Sequence, residues 1–113
     1  PSVMVFAVTD AVFDSRTIPE SYILLRGTPR LPFGASFVDV EGTAATLSGK
    51  TPVVLVENDC IIVTGATLLN AFDRLEVAEY SAKAIIAASE LGPIVNISEP
   101  QVDELIKAFK LEK

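Results

Sequence analysis

Histidine is absent from this sequence, and cysteine occurs once. Histidine is the commonest side-chain metal ligand and the one side chain whose ordinary pKa lies near neutrality. Its absence removes the simplest route to zinc binding or general-base catalysis. A lone Cys60 excludes an internal disulfide framework and is compatible with a reducing compartment. Positive charge is scarce too: nine Lys and Arg stand against fifteen Asp and Glu, a formal net charge of −6, and the basic residues form no run. Nucleic acid and anionic membrane surfaces are bound by clustered cations, so neither is expected as a partner. There is no signal-peptide pattern and no apolar stretch of the roughly 18 residues that a membrane span needs. The resulting expectation is a cytoplasmic protein.

What is present fits one compact domain over residues 1–113, with 50% hydrophobic and 21% charged residues. The chain enters its apolar residues 3–8 directly after Pro1 and Ser2, with no polar lead-in, and the expectation is a piece of something longer. Those residues are too few for periodicity to separate a buried strand from a turn or two of helix. Thr17 and Glu20 have capping-box spacing and predict a short helix through Tyr22, Leu24 and Leu25 that ends at Gly27. Two prolines in residues 28–33 suit an edge strand or an extended segment. Residues 37–47 are ambiguous, with Gly42 in their middle, and Ser48, Gly49 and Lys50 read as a turn.

The strongest local pattern follows. Residues 52–56 and 61–64 are β-branched runs flanking Glu57, Asn58, Asp59 and Cys60, the pattern of a hairpin with a tight polar tip. Thr67 is a good N-cap, and no Gly or Pro interrupts the chain from Leu68 until Gly92 and Pro93, which predicts one long helix. Its inward stripe is expected at Leu68, Phe72, Leu75, Ala78, Ala82, Ile85 and Ser89, with abundant alanine allowing close approach of a neighbour. Asp73, Glu76, Glu79, Lys83 and Glu90 read as a solvated face, with Glu79 and Lys83 in the favourable i,i+4 orientation for an ion pair. Residues 94–97 are a connector or short strand. Ser98 then caps a last helix, with Pro100 in its first turn and Leu105, Ile106 and Phe109 expected inward.

Few residues offer chemistry. Asp59 and Cys60 are a carboxylate and a thiol side by side, but a cysteine nucleophile needs a base or a cation to form thiolate, and the tip supplies neither. No glycine pattern cradles a phosphate, and capping alone accounts for Thr64, Gly65 and Thr67. No residue is assigned a catalytic, cofactor-binding or metal-binding role.

Residues 52–79, PVVLVENDCIIVTGATLLNAFDRLEVAE, resemble the C-terminal half of the class II aldolase/adducin family. The shared pattern is a strand, a tight turn (here Asn58, Asp59 and Cys60), a second strand through Val63 to Gly65, the cap Thr67, then Leu68, Ala71 and a glutamate, Glu76, about a third along a long helix. Upstream, Ile18, Pro19, Glu20 and residues 30–33 resemble the segment that precedes this hairpin. The resemblance implies an α/β fold, a three-layer α/β/α sandwich with a mostly antiparallel sheet, of which this chain is an incomplete, C-terminal part.

The family's enzymes hold a divalent metal, usually zinc, with an H-x-H strand and the histidine of an N-H-G turn, and they cleave or epimerise sugar phosphates. In this chain Asp59 stands at the third histidine's position and Cys60 at the glycine's, while the H-x-H strand, the catalytic glutamate and the phosphate loops belong to a segment upstream of Pro1. Adducin, in the same family, keeps the fold without the metal and serves in assembly. The leading expectation is therefore a non-catalytic binding or self-assembly module with a degenerate metal site and no cofactor, partnered by further copies of itself or by a complementary N-terminal fragment. The alternative is a zinc-dependent sugar-phosphate aldolase or epimerase, a lyase-type enzyme whose catalytic residues lie in that upstream segment and which uses Asp59 as an unusual third ligand. A protein that binds a sugar phosphate without catalysis is a third reading.

Overall fold

The structure is a computed structural model that describes residues 1–113. Five helices surround a small sheet in the order α1 (Met4–Ala7), α2 (Pro19–Leu25), β1 (Arg30–Leu31), α3 (Val40–Thr46), β2 (Val53–Val56), β3 (Cys60–Val63), α4 (Leu68–Ala88) and α5 (Glu99–Phe109). The strand order is β1-β2-β3. β2 and β3 form the expected antiparallel hairpin, with Val53 opposite Val63 and Val56 opposite Cys60. β1 is the expected short edge strand, and it pairs with β2 in parallel, so the three strands described form a mixed sheet. The cause is the connection: residues 32–52 contain α3 and carry the chain back to the start of the sheet, as a parallel pairing requires.

All four residues of β2 are buried. Side chains alternate along a strand, so Val53 and Leu55 point to one face and Val54 and Val56 to the other. A continuous apolar run is what a central strand covered on both faces needs. Val53 and Leu55 join Val3, Phe6, Ala7, Phe13, Leu25, Ala78 and Ala82 in one core cluster, in which Phe6 and Phe13 meet edge to face at 5.2 Å. The apolar residues 3–8 thus supply a short helix, not a strand.

That helix is held from outside. The Glu79 carboxylate accepts hydrogen bonds from the backbone N–H of Ser2 at 2.7 Å and of Val3 at 2.9 Å. Glu79 is therefore a long-range cap for α1, not half of an i,i+4 pair with Lys83 on a solvated face. At the other end of α1, Asn58 N–H donates to the Ala7 carbonyl at 2.8 Å, and the Arg30 guanidinium donates to the Phe6 carbonyl.

Other local expectations shift for identifiable reasons. Thr17 does not cap α2; Ile18 stands at the N-cap in extended conformation (φ −138°, ψ 156°), with no side-chain bond. A residue before proline is pushed out of the helical region, so the helix cannot start ahead of Pro19. It ends at Leu25, and Arg26, not Gly27, takes the positive φ of 56°. α3 resolves the ambiguous segment: Asp39 caps it by accepting from Gly42 N–H at 3.1 Å. A β-carbon on Gly42 would sit 2.2 Å from that carboxylate, so any larger residue there would have to displace the cap.

α4 is capped as expected, the Thr67 hydroxyl accepting from Asn70 N–H at 3.0 Å. A β-carbon on Gly65 would come within 2.7 Å of the Ala71 backbone nitrogen, so the tight entry to this helix requires glycine. Its buried face is centred on Ala78, Ser81 and Ala82. Leu68 and Phe72, assigned inward by periodicity, are exposed (88% and 53%). The strands beneath are four residues long, about 13 Å, whereas a 21-residue helix runs about 30 Å, so its ends overhang the sheet.

Ser21 of α2 and Ser81 of α4 share a buried 2.5 Å hydrogen bond, and these two small side chains let the helices approach. Residues 94–97 form no strand, although Ile97 N–H donates to the Arg16 carbonyl. α5 has a full capping box at Ser98 and Gln101. It turns Val102 into the interior, while Phe109 stays exposed.

Two tests follow from these contacts. Ala82→Leu adds methylenes to a fully buried position and is expected to cost about 1–3 kcal/mol, read as a lower urea midpoint. An unchanged midpoint would show that the helix has room to spare. For Glu79, partial burial pushes the carboxyl upward, but hydrogen bonds from the backbone N–H groups of Val3 and Ser2 act against it and the pKa is held well below the usual carboxylate value. The unfolded value is about 4.3, so this stabilisation is full above that pH and disappears as pH falls through the folded value. Glu79→Gln should therefore cost about 1–2 kcal/mol at pH 7, with the difference from the parent shrinking as pH falls from about 4 to 2. A pH-independent difference would refute the carboxylate's role.

Candidate functional site

The hairpin tip carries the residues with the most chemical potential. Glu57, Asn58 and Asp59 form a three-residue turn, and Asn58 takes a left-handed φ of 57°, a conformation asparagine tolerates better than most residues. The turn is docked by the Asn58 bond to α1. Beside it, Arg30 Nε donates to Glu57 Oε2 at 3.1 Å while the other end of the guanidinium reaches Phe6. The tip is thus braced by β1 and α1.

Asp59 is not aimed at an open site. Its Oδ2 accepts a hydrogen bond from the Ser36 hydroxyl, tying the tip to the segment between β1 and α3. Cys60 is half-buried and opens β3. Burial raises its thiol pKa, and the Asp59 carboxylate raises it further by its charge and by a hydrogen bond. Both effects favour the neutral thiol over the nucleophilic thiolate. The neighbouring carboxylate therefore suppresses this cysteine.

Zinc requires three protein ligands at a catalytic site and four at a structural one. No group of three or more His, Cys, Asp or Glu side chains is gathered to hold a metal ion, and the carboxylate at the expected position is engaged by a hydroxyl donor. The donor set does not fit zinc. Glu76 is exposed on α4 and lines a groove with Met4, Ile61, Phe72, Tyr80 and Lys83, with a volume of about 500 Å³. A second cleft, about 430 Å³, lies beside Phe13, Thr28, Arg30 and Glu57. Its guanidinium is already committed to Glu57 and Phe6.

Several positioning residues gave no local signal. Arg74 donates to the Leu24 carbonyl at 2.9 Å, the Thr64 carbonyl at 2.8 Å and Asn70 Oδ1 at 2.9 Å, joining α2, the end of β3 and the first turn of α4. Arg26 is buried with its guanidinium 5.6 Å from the Tyr22 ring centre, and Arg16 stands 5.9 Å from the same ring while pairing with Glu99 at 2.7 Å. Arg26 Nε has no hydrogen-bond partner. Cation–π contacts of this kind partly replace lost hydration.

No family model matches the chain, and no curated protein or solved structure matches it. No helix is long and apolar enough to cross a membrane.

The arrangement at the tip makes a prediction about reactivity. Cys60 should alkylate slowly with iodoacetamide at pH 8, and Asp59→Asn should speed the reaction by removing the charge that holds the thiol protonated. A slower reaction in the variant would contradict the assigned electrostatics.

Proposed function

We propose that this chain is the C-terminal portion of a class II aldolase/adducin-like protein that has lost its metal site and works as a non-catalytic binding or self-assembly module. In this reading the domain is completed as a three-layer α/β/α sandwich with a largely antiparallel sheet, acts in the cytoplasm and takes protein rather than nucleic acid or membrane as its partner. The hairpin, the Thr67 cap and the long α4 occur in the order and with the spacing on which the resemblance rests.

One observation carries the loss of the metal: the Asp59 carboxylate, at the position of the third ligand, is tied to Ser36. A metal ligand is normally held by second-shell partners and left free on the metal-facing side. Here the Ser36 hydroxyl holds one oxygen of the carboxylate, and no further donors are gathered beside Asp59 to make up the three that a catalytic zinc takes. The chain is accordingly expected to hold no stoichiometric zinc at neutral pH. Metal analysis after dialysis against zinc is the test, and one tightly held zinc per chain, lost in Asp59→Ala, would overturn the non-catalytic reading.

A further inference from the structure

α4 carries large apolar side chains on two opposite sides. Its inner side, around Ala78, Ser81 and Ala82, packs on the core. Half a turn away, Leu69, Phe72, Glu76, Tyr80, Lys83 and Ala87 recur at intervals of three and four and therefore share one outer stripe. Leu69, Phe72 and Tyr80 on this stripe are 69%, 53% and 63% exposed. A helix with large apolar side chains on both sides suits a place between two layers, and exposed aromatic residues interleaved with charge are typical of a contact surface.

We propose that a second copy of this chain covers this stripe, packing its own α4 antiparallel across a two-fold axis. The proposal deepens the self-assembly reading above and names its surface. The charge pattern selects the occupant. Glu76 and Lys83 are the two charged residues of the six and lie two turns apart, so an axis passing midway between them sets each Glu76 opposite Lys83 of the partner subunit, twice per dimer. The same axis sets Phe72 opposite Ala87, a large side chain against a small one, and the parallel orientation would instead oppose like charges. Each copy carries a formal net charge of −6, so overall electrostatics oppose association. The local Glu–Lys pairs then fix orientation while the aromatic and leucine surface supplies the driving force.

Sedimentation of the full chain over a wide concentration range tests this, with circular dichroism confirming that each variant folds. The parent should dimerise. Glu76→Lys or Lys83→Glu alone places like charges opposite one another and should weaken the dimer at least about tenfold. The double variant restores opposite charges and should recover association, and the two single variants mixed together should form a heterodimer. A parent that stays monomeric at high concentration, whatever other segment or protein then covers the face, would overturn the proposal. So would single variants that dimerise as tightly as the parent. The zinc measurement is independent of these outcomes: a chain that dimerises through α4 and also holds zinc overturns only the non-catalytic reading.

Discussion

A four-residue helix leaves nearly all of its backbone donors and acceptors without internal partners, and α1 places Phe6 and Ala7 in the centre of the core despite this. The contradiction is resolved by three distant groups. Glu79 brings negative charge and two acceptors to the N-terminal end, while Arg30 and the Asn58 amide bring positive charge and donors to the C-terminal end. Each sign matches the helix dipole at its end. Because these groups sit on α4, β1 and the hairpin tip, closing α1 also fixes those three elements relative to one another. The same contacts hold Asp59 and Cys60 in place, so the geometry of the tip depends on the short helix beneath it.

Close packing of α2 on α4 depends on small side chains. Ser21 and Ser81 meet at 2.5 Å, and Ala78 and Ala82 are fully buried beside them. Serine allows nearly the approach that alanine does while its hydroxyl finds a partner across the interface, so the contact is both close and polar-satisfied. Arg74 reinforces it by bonding the C-terminal turn of α2 and the end of β3 from one guanidinium. Its planar fork of five donors suits that task, which lysine would not perform.

What the sequence made legible were features whose cause is local. The hairpin could be read because two β-branched runs flank a polar tip, and α4 and α5 because Thr67 and Ser98 precede uninterrupted helical stretches. The α/β class came from the resemblance, whereas the parallel pairing of β1 depended on α3, whose own pattern was ambiguous. Glu79 was misread because its partners are more than 70 residues away, while Lys83 lies one turn away and satisfies the familiar helix rule. Asp59 was identified from the resemblance, but its tie to Ser36 was hidden because nothing near Ser36 in the chain marks it as a partner. Long-range polar contacts leave no periodic trace.

The apolar content of the chain exceeds what its own core consumes. Half of its residues are hydrophobic, yet only 22 of 113 are buried, and large apolar side chains remain exposed on α4, on the segment around Phe33 and Phe37, and near Leu91 and Val95. Single exposed apolar residues are ordinary, but Leu69, Phe72 and Tyr80 share one face of α4. The overhang of α4 beyond four-residue strands explains why its ends find no partner within the chain. A fold organised around one central strand can bury a single face of so long a helix. The outer face keeps a pattern in which exposed Leu69, Phe72 and Tyr80 alternate with Glu76 and Lys83, and on this pattern the proposed dimer rests.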